Sequence, residues 1–332
     1  MLGGSFFDTA IVLLLGLIVL IFSADRVVSK LIIISKHFGF STTFVGMTVL
    51  SIGTSLAEVS TQVIGSWGVL NGMFDFHMTS ATLLGTNIGS DVVQQTFIMG
   101  LTVLLGGAIL INAKFIKYDF LPLIGVTVLC LLLGLDGTYS RLDGGILLAL
   151  FIGYMYFLYR RETEHHHYFM LELHTKRGPI VLEFFIAIAG IFAMLGSSYV
   201  ILKSVEWFVG QTSLSGSFIG VITLGIATAL PELITALAGI YKKEPGISLG
   251  TLIGSNIVNP LLGMGLGAVM STYWIPQVVL YWDLPMKILT GVLMVVYVML
   301  HKGKLGRFGA CFLIVMYVAY ILLRIRYFPT DI

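Results

Sequence analysis

FVGMTVLSIGTSLAEVSTQVIG at residues 44–65 and FIGVITLGIATALPELITALAG at 218–239 are two copies of one segment. Aligned without a gap, they share Phe, Gly, Leu, Ile, Thr, Leu, Glu, Thr and Gly. The shared acids are Glu58 and Glu232, each centred in a stretch long enough to cross a bilayer. Insertion scales put the cost of an ionised side chain at that depth at roughly 2.5–3.5 kcal/mol. Two such acids at matching positions of a repeat read as an ion site.

The rest of the chain agrees with a membrane setting. It is 57% hydrophobic and 11% charged, with a mean hydropathy of +0.97, whereas soluble domains carry about 25% charged residues. Apolar runs of bilayer length fall at about 6–34, 42–67, 79–107, 118–136, 144–160, 179–206, 215–240, 246–271, 276–300 and 306–325. No basic region precedes the first, so it reads as a retained helix and not a signal peptide. This predicts an all-α integral membrane protein of ten transmembrane helices. With the N-terminus outside, Lys30, Lys36, Lys114, Lys117, Arg160, Arg161, Lys176, Arg177, Lys242, Lys243, Lys302, Lys304 and Arg307 fall inside. Only Arg141, Lys203, Lys287, Arg324 and Arg326 then fall outside, with Arg26 in the first helix. The positive-inside rule therefore places both termini outside a cell or inner membrane. The implied partners are lipid and inorganic cations; no basic cluster suits nucleic acid. Cys130 and Cys311 read as small buried hydrophobes.

A second duplicated motif follows the first, GTNIGSDVVQ at 85–94 and GTLIGSNIVN at 250–259. An odd number of spans separates the copies, so they run in opposite directions, the inverted-topology pattern of secondary transporters. The expected division is a five-helix half over 1–160 with its repeat motif at about 42–107, a cytoplasmic linker over 161–178, and a second half over 179–332 with its motif at about 215–271. The linker carries His165, His166 and His167, read as solvated.

Ser51, Thr54, Ser55, Glu58, Thr61 and Gln62 recur at helical spacing on one face. The second copy offers Thr228, Glu232 and Thr235, and Ser90 with Gln94 and Ser255 with Asn259 are each one turn apart. All are oxygen donors, which hard cations such as Na⁺ and Ca²⁺ prefer. Pro231 frees a helical carbonyl in the second copy, and Gly53 weakens the helix in the first. No set of intramembrane Lys or Arg is expected to pair with Glu58 and Glu232. Asp91 reads as a third carboxylate, a proton carrier or a neutral buried acid; its repeat mate is Asn256. Asp25 and Arg26 read as structural, Asp75 and His77 as solvated, and Lys203 with Glu206 as an interface pair. HExxH is missing, and GISLG at 246–250 heads an apolar run of helix length with no strand before it and so is no nucleophile elbow, which argues against an enzyme.

GTSLAE at 53–58, LPE at 230–232 and the GTNIGS and GTLIGS segments resemble the α-repeats of sodium/calcium exchangers, of the cation/Ca²⁺ antiporter superfamily. SADR at 23–26 and LDGTYSRLDG at 135–144 are similar to segments of its bacterial branch. The resemblance implies Na⁺/Ca²⁺ exchange by alternating access, with the first and sixth helices sliding against the core and no cofactor. It implies paired acids Glu58 and Glu232, and hydroxyl ligands Thr54, Ser55, Thr228, Ser90 and Ser255. Carbonyl ligands at Ser51 and Gly225 and amide ligands at Gln94 and Asn259 follow in the same way. The chain departs from the pattern at Ala57, which replaces a proline, at Ala227, and at Ala229, which replaces a hydroxyl that helps hold Na⁺. These departures leave a proton, or a different divalent ion, open as the alternative to Na⁺/Ca²⁺ coupling.

Overall fold

In hydrocarbon every backbone polar group needs a partner within the protein, and helices supply it segment by segment. The computed structural model describes residues 6–36, 44, 46–165, 180–211, 214–241, 243, 245–328 and 330–331. In chain order its helical stretches are α1 (Phe6–Lys36), α2 (46–70), α3 (Phe76–Gly106), α4 (Ala113–Asp136) and α5 (Arg141–His165). Then come α6 (Ile180–Gln211), α7 (Gly216–Tyr241), α8 (Pro245–Ser271), α9 (Val279–Leu300) and α10 (Arg307–Tyr327). Among the described residues nine of these are long and apolar enough to span a membrane. The exception is α2, which the polar stripe of Ser51, Thr54, Ser55, Glu58, Ser60, Thr61 and Gln62 makes less apolar than its neighbours. His166, His167 and most of the linker, with the side chain of Asp25, lie outside the described residues.

The centre is α3 and α8, whose spans are 78 and 83% buried, against 22 and 17% for α1 and α5. The two copies cross-pack: α3 lies on α7, and α8 on α2. Small residues allow it. A Cβ on Gly89 would sit 2.6 Å from the Cα of Val221, and one on Gly254 would sit 2.7 Å from the Cβ of Ser51. Gly89→Ala and Gly254→Ala are therefore expected to cost about 1–3 kcal/mol each by overpacking, measurable as lowered thermal stability of the purified protein. Beside this core, α1 and α6 pack along one another. They are tied by Lys30 and Glu183 at 2.6 Å, and α6 reaches α2 through Ser60 and Ser198 at 2.9 Å.

Wide π-type turns recur in matching places. They fall at Gly46–Leu50 and Gly220–Leu224, at Gln94–Ile98 and Asn259–Met264, and at Ile116–Phe120 and Val279–Asp283. Such turns are rare and concentrate at functional sites. Two short antiparallel pairings join the connections: β1 (Ile109–Leu110) with β4 (Lys304–Leu305), and β2 (Thr138–Tyr139) with β3 (Tyr273–Trp274).

Several charges sit elsewhere than expected. Lys287 and Arg324, read as external, are 2% and 0% exposed. Each is buried because an acid awaits it, Asp91 for Lys287 and Asp283 for Arg324. The Nε of Arg324 lies 3.2 Å from Asp283, whose Oδ1 also accepts from Tyr320 at 2.8 Å. A similar pair, Arg161 with Asp119 at 2.8 Å, joins α5 to α4. Cys130 is buried as expected, but Cys311 is exposed on the outer face of α10. Lys203 and Glu206 do pair, at 2.8 Å, and Asp75 caps α3 by accepting from the N–H of Met78. Arg26 and His77 are exposed.

Candidate cation site

Both α2 and α7 break in mid-course, at equivalent residues. Ser55 turns with φ −69° and ψ −5°, and Ala229 with φ −79° and ψ −3°. Pro231, near the start of the new half-helix of α7, suits that break. Yet α2 breaks at the same place with Ala57 there, so the proline is not required. The half-helices restart at Leu56 and at Leu230. That puts Glu58 and Glu232 in their first turns, where the aligned peptide dipoles favour negative charge.

Glu58 and Glu232 are both fully buried. Glu58 Oε1 accepts from the hydroxyl of Ser90 at 2.6 Å, while its Oε2 has no hydrogen bond. Neither oxygen of Glu232 has one. The threonines face the acids crosswise, Thr228 towards Glu58 and Thr54 towards Glu232, but no hydrogen bond closes either pair. The hydroxyls of Ser55 and Thr228 and the Oδ1 of Asn259 are likewise buried without a partner. Buried polar atoms are costly unless bonded. A set of carboxylate, hydroxyl and amide oxygens left bare together is one that a cation would complete.

Other expected ligands are differently engaged. Ser255 shares a hydrogen with Thr54 at 3.2 Å and donates weakly to the carbonyl of Ser51 at 3.4 Å. That carbonyl also accepts from the N–H of Ser55 at 3.1 Å, and the Gly225 carbonyl accepts from the N–H of Ala229 at 3.3 Å. Outside the cluster, Gln62 is structural. It donates to the carbonyl of Leu83 and accepts from Tyr273. Thr61 donates to the carbonyl of Ala57, and Thr235 is half-buried.

The two amides, Gln94 and Asn259, present opposite ends to their surroundings. Asn256 donates its NH₂ to Gln94 Oε1 at 3.1 Å, so Gln94 points its own NH₂ at Ser90, 2.9 Å away. At the mate of Asn256 stands Asp91, which only accepts when ionised. Asn259 therefore gives it its NH₂, at 2.8 Å, and is left with a bare Oδ1. A single Asp/Asn difference between the copies thus leaves the oxygen of Asn259 unbonded, while that of Gln94 is taken by Asn256.

Asp91 also takes a charge-assisted bond from the buried ammonium of Lys287 on α9. Among the described residues no Lys or Arg ion pair is formed by Glu58 or Glu232, but Asp91 does have a membrane-buried cation as its partner. The signal was in the chain: Lys287 lies well inside the apolar run 276–300, and Arg324 inside 306–325. Among the described residues no three His, Cys, Asp or Glu side chains group as a metal cluster.

A family model described as "Sodium/calcium exchanger protein" matches residues 9–160 and 182–326. The inner membrane protein YrbG of Escherichia coli is 30% identical, over 78% of this chain and 79% of that protein. The sodium/calcium exchanger MaX1 of Methanosarcina acetivorans is 22% identical over 94% of this chain and 97% of that one. A solved structure of the sodium–calcium exchanger NCX_Mj superposes with a TM-score of 0.66 at 23% identity, covering 95% of this chain and 98% of that one.

Proposed function

Because the chain belongs to the sodium/calcium exchanger family, we propose that it exchanges Na⁺ for Ca²⁺ by alternating access around Glu58 and Glu232. The observation that carries this is the pair of buried carboxylates at half-helix N-termini, three of whose four oxygens are unbonded. Two carboxylates neutralise one divalent ion. Calcium takes about 6–8 oxygens, and Thr54, Ser55, Thr228 and Asn259 add neutral ones beside them. Ser90 holds Glu58, Ser255 holds Thr54, and Gln94 holds Ser90. In this state the carbonyls of Ser51 and Gly225 serve the helix breaks.

The frame that would move the ions is an inverted repeat of five-helix halves, 1–160 and 179–332, joined by the linker 161–178. Three kinds of observation support it: the matched π-type turns, the matched breaks in α2 and α7, and the strand pairings. If each helical stretch crosses once, β1 and β4 lie on one side and β2 and β3 on the other. Lys114, Lys117, Lys302, Lys304 and Arg307 flank the first joint, while Arg141 is the basic residue flanking the second. With Lys287 and Arg324 buried, the basic bias towards the first side grows, which supports both termini outside. The packed pair α1 and α6 is the element that would slide against the core.

The test is uptake of labelled calcium by liposomes holding the protein and loaded with sodium. Uptake should follow the outward sodium gradient and stop when it is collapsed. Ala229, buried where the first copy has Ser55, gives the Na⁺ region one hydroxyl fewer and favours one second reading, proton coupling. Uptake driven by a pH gradient and indifferent to sodium would replace the first reading with that one. Flux without any counter-ion would make the protein a channel.

A further inference from the structure

Lys287 is a formal cation buried in the core beside the candidate site, and nothing in the exchange reaction accounts for it. Its ammonium bonds Asp91, and Asp91 in turn bonds Asn259, whose Oδ1 is bare. Asp91 directly follows Ser90, which holds Glu58. A third carboxylate thus lies one residue from the shell around the paired acids. The equivalent region of the other copy is neutral: Asn256 stands for Asp91, and it bonds the carbonyl of Leu252 and Gln94. On α4, which packs against α8 as α9 packs against α3, the span carries no basic side chain between Lys117 and Asp136. The acid and the lysine, one from each half, therefore meet at one of the two repeat-related contacts, α3 with α9, and neither charge occurs at the other, α8 with α4.

We propose that Lys287 is a tethered cation that sets how many ions the site takes. Its ammonium fills the place at Asp91 that a mobile monovalent cation would otherwise fill. The site then presents only the charge of Glu58 and Glu232 to its cargo. The same bond keeps Asp91 an acceptor and so keeps Asn259 turned with its oxygen free. Lys287 is a specificity-determining residue that touches no cargo: it acts through Asp91. Hydrogen bonds support its placement as well, because its carbonyl accepts from Gln95 at 2.8 Å and Gln95 also bonds Thr290. A buried charge on this flexible a side chain is retained at a cost unless its partner is in place.

This rests on the reading of Glu58 and Glu232 as the cargo site, and equilibrium binding separates the two. Purified protein is dialysed against radioactive ²²Na⁺ and the ions bound per chain at saturation are counted. Lys287→Met is expected to bind one more Na⁺ than the wild type, and Asp91→Asn/Lys287→Met to return to the wild-type number. An unchanged count in Lys287→Met overturns the proposal, whether or not the protein exchanges calcium in liposomes. Loss of flux in the wild type would instead overturn the exchanger reading. Should Lys287→Met fail to fold, Asp91→Asn decides: with the ammonium unpaired, ⁴⁵Ca²⁺ binding should weaken by roughly tenfold or more, since an uncompensated charge nearby acts through a medium far less polarisable than water. Calcium affinity equal to the wild type would refute the role of the pair.

Discussion

Glu232→Gln is expected to abolish calcium uptake and, in cation-free buffer, to raise the melting temperature. The two effects have one cause. Both oxygens of Glu232 are buried and unbonded, and it faces a second buried acid. Without a cation such a group destabilises the fold, and a neutral amide of the same shape relieves about 1–3 kcal/mol of that cost. With a cation the sign reverses. Removing one partner of a buried charge pair costs about 3–5 kcal/mol, or roughly two to three and a half decades of calcium affinity. Wild-type protein should gain about 2.7 kcal/mol of stability at a hundred times the dissociation constant, and the variant should gain almost none. Glu58→Gln should lose uptake as fully but gain less stability in the absence of ions, because Ser90 already bonds one of its oxygens. Differential scanning in detergent, with and without calcium, reads both signs. A Glu232→Gln variant that is less stable than wild type without ions would show that the carboxylate is held by the protein and not kept for a cargo.

How much of this is legible in the sequence depends on duplication. Glu58 and Glu232 declared themselves because each was costly and each had a twin. The helical class followed from composition, and the polar stripe of α2 from spacing. Three features were not legible, each for a physical reason. The break at Ser55 has no proline to announce it, and Gly53 signals a weaker helix without saying where it stops. The opposed orientations of Gln94 and Asn259 depend on which neighbour can only accept a hydrogen bond. That in turn depends on Asp91 and Asn256 being brought to them across the two halves. Lys287 and Arg324 sit inside apolar runs, but their acids are far away in the chain: Asp91 is 196 residues from Lys287. A lone basic residue in a span reads as reaching for the interface by default, and only the folded neighbourhood shows that it is paired inside.

The buried pair on α9 and α10 carries the second large expectation: Arg324→Met should destabilise the protein by about 3–5 kcal/mol. Neither Arg324 nor Asp283 has any exposed side-chain surface, whereas the side chain of Arg161, in the similar pair with Asp119, is 26% exposed. Water can therefore reach the Arg161 side when that pair is broken, and Arg161→Met should cost less, about 1–2 kcal/mol. Arg324 does more than neutralise Asp283. Its Nη2 donates to Ser217 at 2.6 Å, at the start of α7, and Ser217 is bonded in turn by Asp331. Removing the guanidinium thus leaves Asp283 uncompensated and loosens the end of the helix that carries Glu232. The double variant Asp283→Asn/Arg324→Met removes both charges together and should recover most of the loss, a coupling that a double-mutant cycle measures directly. Thermal or denaturant unfolding of the purified variants gives the ranking. Equal small losses for Arg324→Met and Arg161→Met would mean that the buried pair is solvated from a direction the fold does not show. A large loss for Arg324→Met with no recovery in the double variant would assign its role to Ser217 and the start of α7 instead of to Asp283.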